Sequence, residues 1–156
     1  MSAEILIIAI GNRYRGDDAL GCLMADELRG AASGIADVIE HDGESASLIE
    51  SWQGRRCAVL IDAVSSGAEA GMIHHIDLNK QALPDRFRSF STHAFGVAEA
   101  VELARVLNKL PPRIIFYGVE GKVFAADTKL SAPLQAVVKT LRQRILDEIS
   151  KETKHA

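Results

Sequence analysis

The sequence has few cysteines, since Cys22 and Cys57 are the only two among 156 residues. They are not spaced as a CxxC pair, and both fall inside predicted secondary structure elements. This cysteine usage does not indicate a disulfide framework or a cysteine-ligated metal site. We expect two reduced side chains that contribute to packing.

The sequence also has no long hydrophobic run and no large excess of charge of either sign. Its apolar runs are strand-sized, far short of the roughly 20 residues of a transmembrane helix. No basic segment precedes a sustained apolar stretch at the amino terminus, as it would in a signal peptide. The net charge of −3 gives no electrostatic reason to expect binding to nucleic acid or to an anionic membrane. We therefore expect a cytoplasmic protein.

What is present is the composition of one globular domain. Hydrophobic residues make up 47% of the chain and charged residues 25%, which is ordinary for such a domain. The length is sufficient for a single substantial core. We assign residues 1–150 to one α/β domain and residues 151–156 to a polar carboxy-terminal tail.

Strand patterns alternate with helix patterns along the chain. Continuous apolar runs at 5–10, 57–61 and 114–119 are typical of strands buried on both faces, and 36–41 and 72–76 predict two more strands. Apolar residues at helical spacing predict helices that follow residue 17, cover 45–52, run from 93 to 108 and begin again at Ser131. This order predicts a three-layer α/β/α sandwich with a mostly parallel five-stranded sheet, a phosphorylase/hydrolase-like α/β fold.

The turn after the first strand contains Gly11, Gly16 and Gly21, whose spacing allows a tight backbone path. Gly11 and Gly16 have the spacing of a phosphate-binding loop, but Asp17 and Asp18 stand where that loop has Lys and Ser or Thr. Because two carboxylates repel a phosphate, we expect this turn to face a cation. Asp17 has an alternative role as a helix cap, which leaves Asp18 as the first functional candidate.

Two more polar residues are predicted near the same edge, because sites in such folds lie beyond the carboxyl ends of the strands. Asp62 follows the apolar run 57–61, and His93 lies where a helix begins. Each has an ordinary structural explanation, a turn-initiating role for Asp62 and a place in a first helical turn for His93. Together with Asp18 they supply two oxygens and one imidazole nitrogen, which suit nickel, zinc or copper with open coordination positions.

Other polar residues near this edge are weaker candidates, with His41 and Asp42 as reserve ligands. Glu44 and Glu120 either support the ligands from behind or face solvent, and we favour solvent. His74 and His75 are adjacent on a predicted strand, so their side chains point to opposite faces and cannot form a compact pair. The chain has no G-x-S-x-G elbow, no H-E-x-x-H helix and no G-x-G-x-x-G turn. These absences remove three common kinds of catalytic or cofactor site.

With these residues in view, the chain resembles the hydrogenase maturation proteases, which trim the large subunits of nickel hydrogenases. The resemblance covers nearly the whole chain, and its motifs are Gly11-Asn12 with Gly16-Asp17-Asp18, then Ile61-Asp62-Ala63, Ser91-Thr92-His93, and Tyr117-Gly118-Val119-Glu120 followed by Leu130-Ser131. The first motif is fairly specific, and the others match in order and approximate spacing. The chain departs from the family at Ala19, where many members have glycine, and at 42–45, where many have Gly-Gly-Thr. The second departure leaves the identity of the partner open.

The resemblance implies an aspartyl-type endopeptidase that removes the C-terminal extension of a nickel–iron hydrogenase large-subunit precursor after nickel insertion. It implies that Asp18, Asp62 and His93 contact the metal and form the catalytic site. The nickel would be carried by the precursor, with no permanently bound metal in the protease, which we expect to be a monomer. Two other functions stay open: a non-catalytic, chaperone-like metal-binding module for hydrogenase assembly, and a small α/β metallohydrolase with a resident divalent metal.

Ligation by His93 makes a prediction about pH. An imidazole must be neutral to bind a metal, so metal-dependent activity should fall as the pH drops below about 6.5, the ordinary pKa of histidine. Initial cleavage rates measured between pH 5 and 8 check this. Activity that stays flat down to pH 5 would argue against ligation by His93.

Overall fold

The structure is a computed structural model that describes residues 3–88 and 92–154, without the side chains of residues 88 and 92–95. Its strands are β1 (Ile5–Ile10), β2 (Ala36–His41), β3 (Cys57–Val64), β4 (Ile73–Asp77) and β5 (Arg113–Glu120). Its α-helices are α1 (Leu20–Ala31), α2 (Ser45–Trp52), α3 (Thr92–Val106) and α4 (Ala132–Lys154), and two 3-10 turns cover Gly16–Ala19 and Asp85–Arg88. The predicted bounds of β1, β2 and α2 are confirmed.

The five strands form one sheet in the order β2-β1-β3-β5-β4. The first four of these are parallel to one another, and β4 pairs antiparallel with β5 at the edge. The mostly parallel five-stranded sheet is therefore confirmed. Since β1, β3 and β5 run side by side in the same direction, the loops that follow them emerge at one edge of the sheet.

Two apolar cores lie on the two faces of the sheet, as a three-layer sandwich requires. All residues of β1 and β3 are buried, and their side chains alternate between the two cores. Even-numbered residues such as Leu60 pack with α2 and α3, whereas odd-numbered residues such as Ile61 pack with α1 and α4. Cys22 and Cys57 are free and buried, as predicted.

The strand β3 is longer than the sequence pattern indicates. We predicted that Asp62 lies at the carboxyl end of this strand, but β3 continues to Val64 because residues 62–64 pair in register with Gly118, Val119 and Glu120 of β5. Asp62 is therefore an internal strand residue. The edge strand is shifted by one residue, from the predicted 72–76 to Ile73–Asp77.

The last helix continues past the predicted start of the tail at residue 151 and ends at Lys154. Glu152 explains this extension, because its carboxylate accepts hydrogen bonds from Arg113 Nε at 2.9 Å and from Arg56 Nη1 at 3.4 Å. Glu152 is only 9% exposed. Within the described residues, no helix combines the length and apolarity that a membrane crossing requires.

We expect Glu152→Gln to lower the free energy of unfolding by about 1–2 kcal/mol, because the amide is a weaker and less complete acceptor for the two guanidinium groups. Chemical denaturation measures the difference. Lys154→Gln is a matched control, since it changes an exposed residue of the same helical turn by one charge and should alter stability by less than about 0.5 kcal/mol. Equal effects of the two substitutions would contradict an anchoring role for Glu152.

Candidate functional site

The turn after β1 is closed by its own backbone and fixes the position of Asp18. The N–H of Asn12 donates to the carbonyl of Asp18 at 3.0 Å, and the N–H of Asp18 donates to the carbonyl of Arg15 at 3.0 Å. Gly11 has φ +152°, and a Cβ at this position would lie 2.1 Å from the carbonyl oxygen of Asp18. The close approach therefore requires glycine at position 11. Asp18 itself is 7% exposed.

Asp17 has a different role from the predicted one. We expected it to cap the following helix, but α1 has Ala19 at its N-cap position and no side-chain cap. The carboxylate of Asp17 instead accepts from the backbone N–H groups of Lys122 (2.6 Å), Val123 (3.0 Å) and Ser131 (2.7 Å) and from the Ser131 hydroxyl (2.8 Å). Asp17 therefore holds the loop before α4 against the turn after β1.

The environment of Asp17 keeps its carboxylate ionised. Burial by itself would raise the pKa of this fully buried group, but the backbone hydrogen bonds from Ser131, Lys122 and Val123 outweigh burial. The pKa of Asp17 consequently lies below the ordinary value. Four donors compensate the buried negative charge, which would be costly without them.

Asp62 is fully buried and lies beside Gly118 of β5. The alternation of β3 places it on the face covered by α2 and α3, together with Leu60 and Val64. The 3-10 turn that carries Asp18 contacts β3. The structure thus brings the backbone of Asp18 and the strand of Asp62 to the same edge of the sheet.

His93 lies in the first turn of α3, but its side chain is outside the described part of the structure. The next turn of this helix is close to the loop after β2, because a Cβ on Gly96 would lie 2.0 Å from the carbonyl oxygen of Gly43. The start of α3 is therefore at the predicted edge. Among the described side chains, no three of His, Cys, Asp and Glu are grouped to hold a metal. With the His93 side chain not described, the ligand set stays a prediction.

His41, a reserve candidate, lines a cavity of about 410 Å³ between the ends of β1 and β2. Its Nδ1 accepts from the N–H of Gly43 at 2.9 Å, and its Nε2 lies 3.0 Å from Ser47 Oγ. Asp42 Oδ1 is 3.5 Å from Nδ1, so the group resembles a Ser-His-Asp triad in composition. Because Nδ1 accepts, the neutral ring carries its proton on Nε2 and donates it to Ser47. In that state His41 braces the loop and cannot act as a base toward Ser47.

We expected Glu120 to face solvent, but this residue is buried, with 1% exposure. Its carboxylate accepts from the N–H of Ser66 at 3.1 Å and from the Ser66 hydroxyl, and it lies 3.0 Å from His74 Nε2. The alternation along β5 puts Glu120 on the same face as Asp62, two residues along and one strand across, at roughly 8 Å. The alternation of side chains along β5, applied to the sequence, would have predicted that Glu120 lies on this face.

The remaining polar candidates have structural roles. Glu44 is exposed, as expected, and its carboxylate caps α2 by accepting from the N–H groups of Ala46 and Ser47. His74 and His75 point to opposite faces, as predicted, since His75 Nε2 lies 2.7 Å from Glu148 on α4. No function needs to be assigned to these residues.

The role of Asp17 makes a prediction about stability. Asp17→Asn should lower the free energy of unfolding at pH 7 by about 2 kcal/mol or more, because the amide leaves buried N–H donors without acceptors. The lowered pKa of Asp17 gives stability that is present above the unfolded value of about 4 and is lost as the pH falls through the native pKa. The gap in free energy of unfolding between wild type and Asp17→Asn should therefore narrow below about pH 4.

Urea denaturation at pH 7, 5, 4 and 3 measures this gap. Asp127→Asn is the matched control, because this substitution makes the same change of charge at an exposed residue of the same loop. Asp127 has φ +60°. Asparagine also tolerates this backbone conformation. A gap that is independent of pH, or a control that loses as much stability, would refute the role of the Asp17 carboxylate.

Several solved structures share the fold of this chain. The hydrogenase maturating endopeptidase HybD from Escherichia coli has a TM-score of 0.83 and 18% identity, with 97% of this chain and 94% of that chain covered. The [NiFe] hydrogenase maturation protease HybD from Thermococcus kodakarensis has a TM-score of 0.72 and 23% identity, with 96% and 99% covered. The HycI protease from T. kodakarensis KOD1 has a TM-score of 0.69 and 22% identity, with 94% and 92% covered. At these identities the likeness establishes the fold.

Family membership comes from the sequence comparison. No curated protein matched the chain significantly. The family model of HycI, hydrogenase maturation protease, matches residues 29–148, which is well over half of the chain. This span includes Asp62 and His93 and begins after Asp18. The chain is a peptidase, and it belongs to the hydrogenase maturation protease family.

Proposed function

We propose that this peptidase removes the C-terminal extension from the large-subunit precursor of a nickel–iron hydrogenase, after nickel has been inserted. Membership in the maturation protease family supports this proposal. The observation that carries it is the edge of the sheet where the Asp18 turn contacts the strand of Asp62 and where the first turn of α3 contains His93. We place the enzyme in the cytoplasm, as a monomer of aspartyl type.

The precursor's own nickel is the feature that the site recognises. Asp18, Asp62 and His93 supply ligands to this ion, whose other positions are filled by the precursor. Binding therefore requires the metal and the protein substrate together, which limits cleavage to loaded precursors. When bound, the ion would supply either polarisation of the scissile carbonyl or an activated water that attacks it. The fixed backbone of Asp18 keeps this corner of the site in place while a bulky substrate binds.

Two other functions would act differently on the precursor, so an experiment can distinguish them from the proposed one. A non-catalytic module would bind the precursor and leave it intact, and a hydrolase with a resident metal would cleave precursors with and without nickel. Membership in a peptidase family disfavours the first of these.

Incubation with nickel-loaded and nickel-free precursor, followed by intact-mass measurement, tests the proposal. We expect cleavage of the loaded form alone. Similar cleavage of both forms would overturn nickel recognition, and cleavage of neither would favour the binding module.

Substitution of the proposed ligands tests the site itself. Asp18→Asn, Asp62→Asn and His93→Ala should each lower the cleavage rate by more than about 100-fold, since loss of an outer partner of a metal ligand alone costs about 10- to 100-fold. Circular dichroism and a thermal melt check that each variant folds. Asp147→Asn, an exposed carboxylate of α4, is the control and should keep the wild-type rate. A folded variant with full activity would remove its residue from the site.

A further inference from the structure

The loop after β1 and the loop after β5 form one hydrogen-bonded unit. The N–H of Asp127 donates to the carbonyl of Tyr14 at 2.8 Å, and the N–H of Gly16 donates to the carbonyl of Thr128 at 3.1 Å. The buried Asp17 carboxylate adds four more hydrogen bonds between the same two loops. The outer surface of this unit is therefore held in one shape.

This surface carries an excess of positive charge. Arg15, Lys122 and Lys129 are exposed on it, and Asp127 is the exposed acid among them, which gives a net charge of +2 in a chain whose total is −3. None of the three cations has an ion-pair partner among the described residues. Arg13 next to them differs, because it is bound to Asp26 at 2.9 Å and to Glu40 at 3.1 Å.

An exposed aromatic side chain lies at the same place. Tyr14 is 74% exposed and directly precedes Arg15. Tyrosine and arginine are enriched among the residues that dominate the binding energy of protein interfaces. A surface that is already rigid loses little conformational entropy when a partner binds. We call the residues Tyr14, Arg15, Lys122, Asp127 and Lys129 the basic loop surface.

We propose that an acidic segment of the precursor docks on the basic loop surface and so tethers the precursor beside Asp18. The basic loop surface is adjacent to Asp18, since the N–H of Asp18 donates to the carbonyl of Arg15 at 3.0 Å. Opposite charge at the rim of an interface raises the rate of encounter and sets the orientation of the partner. The inference rests on the proposed function, because it takes the precursor as the occupant.

A protein partner fits this surface better than a nucleic acid. Proteins bind nucleic acid largely by neutralising many phosphates with Lys and Arg, whereas this surface presents three cations in an acidic chain. Three cations on one hydrogen-bonded loop unit, with one aromatic ring, suit a short run of carboxylates in a polypeptide.

The triple variant Arg15→Ala, Lys122→Ala, Lys129→Ala tests the proposal with the nickel-loaded precursor as substrate. We expect KM to rise about tenfold at low salt with kcat unchanged, because docking is lost while the chemistry is kept. The difference should shrink at 0.5 M NaCl, where exposed charges are screened. Asp127→Asn removes the one negative charge from the same surface and should lower KM.

A second triple variant, Lys109→Ala, Lys139→Ala, Lys154→Ala, removes the same charge from exposed lysines elsewhere and should leave KM unchanged. A wild-type KM in the first variant, an equal rise in the control, or a fall in kcat alone would overturn the docking proposal. A KM difference that disappears after nuclease treatment would assign the surface to nucleic acid and also overturn it. If the wild-type enzyme does not cleave the loaded precursor, the proposed function fails instead.

Discussion

The parallel pairing of β1, β3 and β5 is the constraint on which the site depends. Because these strands run in one direction, the Asp18 turn and the loop that carries Asp17's donors emerge at one edge. The register is equally strict, since Asp62 lies opposite Gly118 and a slip of one residue would turn its side chain to the α1 and α4 face. Apolar packing on both faces of the sheet holds that register.

The two adjacent acids of the turn have separate tasks. Asp17 is fully buried, and its charge is used in hydrogen bonds that join two loops. Asp18 is 7% exposed in the same turn, and its backbone is held by Asn12 and Arg15. One carboxylate thus stabilises the turn geometry that positions the other, so the two adjacent acids are not equivalent.

The sequence predicted what depends on local pattern. Apolar runs gave β1 and the body of β3, and helical spacing gave α2. It did not predict features that depend on distant partners: the last residues of β3 pair with β5, α4 extends because Glu152 binds Arg113, and Asp17 binds the loop before α4. The proximity of Asp18 and Asp62 to one edge followed from the fold class, whereas the geometry of His93 stays a prediction.

The hydrogen bonds of Asp17 also have a consequence for the order in which the protein is made. Its donors lie 105 to 114 residues further along the chain. A nascent polypeptide that ends before Lys122 contains β1 and Asp18 but none of the four donors that hold the Asp17 carboxylate. During synthesis, the turn that carries Asp18 therefore gains these hydrogen bonds only when the carboxy-terminal part of the chain has left the ribosome.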